Sequence, residues 1–202
     1  MTIHPIEVES YRIMRAEIDL SAWTGGDLAV VERIVHSSAD AEYALSTVIG
    51  AEAVERAVAA LRAGAPIVVD AQMVKMGITS LVSHCYLEAI PTPSPDPTET
   101  RSALALRHGA RLHPAGAIFV IGNAPTALFE LLHLVESGAV DPAVIIGLPV
   151  GFVGAAESKA ALRGSAVMAR SISNVGRKGG SAVAAGALNA LARLAAAPSI
   201  ST

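Results

Sequence analysis

Cysteine is all but missing: Cys85 stands alone among 202 residues, which excludes an internal disulfide framework and fits a reducing compartment. Aromatic residues make up only 3% of the chain while alanine is abundant, so helices are expected to pack closely through small side chains. Long hydrophobic runs are absent too. No stretch approaches the roughly 18 uncharged apolar residues of a membrane span, and Met1 to Glu9 lacks the basic segment and apolar run of a secretory signal. A cytoplasmic protein with no membrane partner is the expectation. Charge of one sign is also scarce. The formal net charge is -3 and the basic residues are scattered, so no stripe exists that could neutralise the phosphates of a nucleic acid.

What is there is apolar and alternating. Hydrophobic residues make up 52% of the chain, enough for one sizeable core, and one domain over residues 1–202 is expected. Leu28, Val31 and Val35 fall at helical spacing, with Asp27 near the start as a cap or first-turn acid, so a helix should lead up to His36. A helix over 51–63 ended by Gly64 precedes a short apolar strand over 66–70. Four prolines between Pro91 and Pro97 mark an exposed loop before a helix over 99–107. The second half predicts strands over 117–121, 143–146 and 166–172, alternating with helices over 125–136, 155–162 and 181–194. Such alternation implies a doubly wound α/β domain whose mainly parallel sheet is covered on both faces.

Three turns directly follow predicted strands: Gly122 to Thr126, Gly147 to Gly154, and Gly176 to Ser181. In an open parallel sheet they should crowd one rim, where glycine backbone amides and helix starts favour an anionic ligand. The alternative is that the glycines only make tight turns. Their spacings match neither the phosphate-binding P-loop nor the dinucleotide fingerprint, so neither ATP nor NAD is indicated.

Among the histidines, His36 stands out as a proton carrier, because Arg33 lies three residues earlier on the same helical face and Asp40 four later if the helix continues. Arg33 would favour the neutral imidazole, and bound carboxylates would restore its charge. His84 beside Cys85, and His108 with His113, do not match zinc spacing, so no metal is expected. Ser37, Ser38 and Cys85 carry no nucleophile signature. Lys75, Lys159 and Lys178 could form ion pairs or bind anions, and the sequence does not separate these roles.

Several strings resemble the signature blocks of the precorrin-8X methylmutase family: Gly122-Asn-Ala-Pro-Thr-Ala-Leu128, Gly147-Leu-Pro-Val-Gly-Phe-Val-Gly-Ala-Ala-Glu-Ser-Lys159 and Gly176-Arg-Lys-Gly-Gly-Ser181. Upstream, His4-Pro-Ile-Glu7, Ser10-Tyr-Arg-Ile-Met-Arg-Ala-Glu17, Arg33-Ile-Val-His36, Asp70-Ala-Gln-Met-Val74 and Thr100-Arg-Ser-Ala103 extend the resemblance over nearly the whole chain. Membership implies a flavodoxin-like three-layer α/β/α fold, a homodimer and an isomerase of cobalamin biosynthesis. The reaction implied is a 1,5 methyl shift from C-11 to C-12 of precorrin-8X, giving hydrogenobyrinate, or of cobalt-precorrin-8, giving cobyrinate. No cofactor is implied. The family's essential histidine falls on His36 and its substrate contacts on Ser10, Arg33 and Arg101. Asn123, Gly151, Arg177 and Lys178 in the glycine turns are candidates for the remaining contacts with a polycarboxylate ring. Two places depart from the pattern: Glu7 stands where some members carry tyrosine, and Ser37-Ser38-Ala39-Asp40 replaces a commoner small-residue and glycine pattern. The competing reading is a non-catalytic corrinoid-binding or hand-over module, which predicts that His36 can be lost without consequence.

Overall fold

Short runs of branched aliphatic residues in this chain are strands buried along their length. Ile67–Val69 (β2), Ile118–Ile121 (β4), Val144–Gly147 (β5) and Ser171–Asn174 (β6) are buried at every position, as strands covered on both faces must be. With Thr47–Ile49 (β1) and His84–Cys85 (β3) they form one six-stranded sheet in the order β1-β6-β5-β4-β2-β3. The pairings Val68↔Phe119, Val120↔Ile146 and Ile146↔Ile172 are parallel, and only β1 runs antiparallel, with Val48 opposite Ser173. Leaving β1 aside, the parallel strands follow the 2-1-3-4-5 order of the flavodoxin-like fold. The computed structural model describes residues 4–93 and 97–197, so the centre of the proline loop and the first three residues lie outside the described residues.

Alternation along the strands supplies two faces. Ile118, Val120, Val144 and Ile146 point to a layer built from Gly25–Ser38 (α2), Ala53–Arg62 (α4), Gln72–Gly77 (α5) and Ser181–Ala196 (α9). Phe119, Ile121 and Ile145 point instead to Arg101–Leu112 (α6), Pro125–Glu136 (α7) and Ala155–Gly164 (α8). Helix α9 is buried from Val183 through Ala192, and fully enclosing Leu188 and Leu191 stabilises by about 2 kcal/mol each. That stretch of α9 belongs to the chain's own core. Its closeness to α2 depends on Gly186, where an added Cβ would lie 2.4 Å from Ser37 Oγ.

Several segments differ from the sequence expectation, two of them over most of their length. Met168–Arg170 is a 3-10 turn, so the last strand starts at Ser171. Pro5–Glu17 (α1) is a helix that apolar periodicity did not announce: it buries only Met14, and its start is set by Pro5 and by His4 Nδ1 accepting from Ile6 N at 3.2 Å.

Candidate active site

Helix α2 delivers His36 in its last turn and then stops abruptly. Ala39 takes a left-handed conformation, φ 52° and ψ 31°, which costs an alanine about 1 kcal/mol and turns the chain away. Asp40 therefore does not continue the His36 face; its Oδ2 accepts from Lys178 Nζ at 2.6 Å instead. What faces His36 comes from α1. Ser10 Oγ lies 3.0 Å from His36 Nδ1, and the Tyr11 ring stacks on the imidazole with centroids 4.9 Å apart and planes within 10°. One edge of the ring is thus engaged and its plane fixed, while Nε2 has no hydrogen-bond partner among the described residues. A serine hydroxyl can donate to Nδ1 of the neutral ring or accept from it in the imidazolium, so it supports both protonation states.

The electrostatics around this ring are mixed. Burial pushes the His36 pKa below the usual histidine value, the Arg33 and Arg193 charges push the same way, and the Glu7 carboxylate opposes them. Arg33 Nη1 and Arg193 Nη1 each donate to Glu7 Oε1 at 2.8 Å. Glu7 is held below the ordinary carboxylate range by the Arg193 hydrogen bond and both arginine charges, partly offset by burial. The resting imidazole is accordingly biased to neutrality, and an anion bound beside Arg33 would move it back toward the charged form.

The glycine turns after β4, β5 and β6 do share one rim, and several of their amides, above all those after β4, are already occupied. Asp70, at the end of β2, accepts from the amides of Gly122, Asn123 and Ala124 at 2.9, 2.8 and 2.6 Å. The crevice between β2 and β4, where doubly wound sheets bind ligands, is therefore filled by an internal carboxylate. Gly151 N donates to the Arg177 carbonyl and Gly180 N to the Leu148 carbonyl, joining the other two turns. Gly179 permits this approach, since a Cβ there would come within 2.3 Å of Leu148 O. The rim also offers a ligand side chains. Lys178 is tied to Asp40 and Glu42 at 2.6 and 2.7 Å, whereas exposed Arg177 lies over the Phe152 ring at 5.9 Å. Asn123 is exposed at the tip of its turn.

Arg101 opens α6 and its Nη2 donates to the Leu87 and Ile90 carbonyls at 2.9 and 3.1 Å, leaving a buried Nε without a partner. The structure thus brings Ser10, Arg33 and His36 into one cluster and joins Lys178 to the turn just beyond His36, while Arg101 and Asn123 sit at other strand ends of the same rim. Tyr11 and Arg193 complete the cluster without having been singled out, together with Glu7, which the sequence marks as a departure from the family pattern. Tyr11 and Glu7 lie inside the quoted blocks, but Arg193 is 186 residues from Glu7 and no local pattern links them. His84 and His113 gather with His108 around Tyr86, whose hydroxyl lies 2.8 Å from His113 Nε2. Among the described residues no group of three or more histidine, cysteine or acidic side chains is placed to hold a metal ion.

Comparison with known proteins identifies the family. A precorrin-8X methylmutase from Sinorhizobium sp is 44% identical over 193 residues, covering 91% of each chain. A cobalt-precorrin-8 methylmutase from Methanothermobacter thermautotrophicus is 42% identical, covering 95% of this chain and 93% of its own. The crystal structure of the Thermus thermophilus precorrin-8X methylmutase superposes with a TM-score of 0.82 at 35% identity, over 94% of this chain and 95% of that one. The family model for precorrin-8X methylmutase matches residues 5–194, and the chain belongs to that family.

Proposed function

We infer that the protein is an isomerase of cobalamin biosynthesis that moves a methyl group from C-11 to C-12 of precorrin-8X, or of its cobalt-bearing counterpart. The observation that carries this is the His36 site itself: a ring held at Nδ1 by Ser10, clamped flat by Tyr11, with Nε2 open and Arg33 beside it. A carboxylate of the macrocycle docking near Arg33 raises the proton affinity of His36, which then carries a proton at Nε2. Transfer of that proton to the conjugated ring increases its electron demand, the methyl group migrates, and the proton returns. No electrons are gained or lost, so the shift calls for no redox partner. Ser10, Arg33, Arg101 and Arg177 are the proposed polar contacts of the substrate, with Asn123, Gly151 and Lys178 shaping the rim.

The test is the visible spectrum of metal-free precorrin-8X mixed with wild type and with His36→Ala. Wild type should convert the spectrum to that of hydrogenobyrinate, and the variant should bind the pigment while converting it at least about a hundredfold more slowly. Unimpaired conversion by the variant would refute the role of His36.

A homodimer and a cytoplasmic location complete the reading, with residues 1–202 as one domain. Exposed Met73, Met76 and Val82, 73%, 78% and 81% accessible, supply apolar surface for the subunit contact, and the lone cysteine suits a reducing compartment. Sedimentation at micromolar concentration should give twice the chain mass; a monomer there counts against the dimer.

A further inference from the structure

Two arginines from different helices converge on one carboxylate oxygen beside His36. Arg33 on α2 and Arg193 on α9 both donate to Glu7 Oε1 at 2.8 Å. A guanidinium offers paired N–H groups that suit a carboxylate taken bidentately. Glu7 uses a single oxygen here, and Arg33 Nε is left buried with no hydrogen-bond partner. Both arginines line a groove of about 370 Å³ with Val8, Tyr11, Ala190 and Leu194, and Glu32, paired with Arg15, also lines it. Such a groove has room for a carboxyalkyl arm of a large ring, not for the ring. The helix that carries Glu7 buries only Met14, so little packing opposes a small movement of its carboxylate.

We propose that Glu7 is an internal occupant of an anion site formed by Arg33 and Arg193, displaced by a carboxylate of the macrocycle, so that Glu7 limits how tightly the acidic pigment is held. This rests on the reading above that the substrate is a polycarboxylate ring. Glu7 works against binding because it neutralises the arginines that attract the ligand. It also works on the proton donor. The charged groups facing His36 are Glu7 from α1, Arg33 on its own helix and Arg193 from α9; Tyr11 stacks on the ring and Ser10 bonds to it. Of these, Glu7 alone favours the imidazolium.

Opposite signs separate this from a simple clamp. The full chain, its Glu7→Gln variant and its Arg193→Met variant are titrated with metal-free hydrogenobyrinate by absorbance, and the His36 imidazole is followed by NMR against pH in the ligand-free proteins. Glu7→Gln should bind about fivefold tighter and Arg193→Met about fivefold weaker. The His36 midpoint should fall in the first and rise in the second. Weaker or unchanged binding by Glu7→Gln, with wild type binding normally, overturns the proposal. If helix α1 merely detaches in a variant, both variants weaken together, and that outcome overturns it as well. Failure of the wild type to bind the pigment is a different result, because it refutes the substrate reading before any variant is compared.

Discussion

Lys159 is buried and pairs with no carboxylate among the described residues. Its side chain is inaccessible, and Nζ donates to Asn174 Oδ1 at 2.9 Å and to the Lys178 carbonyl, which also accepts from Asn174 Nδ2 at 3.0 Å. Burial lowers its pKa to about 8, with the Arg163 charge adding to the effect. Folding therefore favours the neutral amine. That contribution is fully present above the ordinary lysine pKa and is lost as pH falls through about 8. From pH 7 to pH 9 wild type should gain roughly 1 kcal/mol relative to Lys159→Met, measured by urea unfolding at each pH; parallel pH profiles would count against it. The sequence left Lys159 and Lys178 undivided between ion pairing and anion binding. Contacts across chain separations of 15 and 138 residues divide them, since Lys159 fastens a turn and Lys178 pairs with Asp40. His36 with Arg33 could be read in advance because helical spacing is local.

Elements were readable where a local stop signal coincided with apolar periodicity. Pro125–Glu136 begins at its proline, and Ala53–Arg62 ends just before a glycine at φ 73°. Where the decisive partner is remote, the pattern misleads. Residues 166–170 are apolar enough for a strand, yet Ser171 is the first to pair with β5, opposite Ile145, and the preceding turn carries the chain into register. Asp70 is the clearest case. The sequence places it inside the apolar strand over 66–70, and its carboxylate closes the turn after β4, 52 to 54 residues away. The turn from Gly122 to Thr126 reads either as an amide cradle for a ligand or as a tight turn, because glycine-rich turns after parallel strands have both characters; which anion occupies it depends on a neighbouring strand, and strand order is not written locally. The mainly parallel sheet and its two covered faces are foreseeable from the β-α alternation, but the antiparallel edge strand β1, three residues long, is too short to show.

At the scale of the molecule, the protein has a rigid interior and a lightly attached helix that completes its site. Helix α9 lies among α2, α4, α5 and the sheet, with an unbroken buried stretch from Val183 to Ala192. Helix α1 buries only Met14, exposes Ile6 and Val8 at 74% and 56%, and is held largely by polar contacts: Glu7 to two arginines, Arg15 to Glu32, and Ser10 to His36. These pairs are partly exposed, Arg15 at 60% and Arg193 at 42% against 19% for Glu7 and Arg33, and their exposed members contribute little and weaken with salt. Local opening of α1 should therefore cost far less than opening of α9. Because Ser10 and Tyr11 both sit on α1, each opening also releases His36 from its fixed orientation. Hydrogen exchange followed by mass spectrometry should show backbone amides of residues 5–17 exchanging at least about a hundredfold faster than those of residues 183–192. Raising the salt should widen the difference, since the attachment of α1 is largely ionic, and saturating pigment should narrow it. Equal protection of the two helices would mean that α1 is fastened by more than the contacts described and that the site is preassembled, leaving the ligand no helix to order.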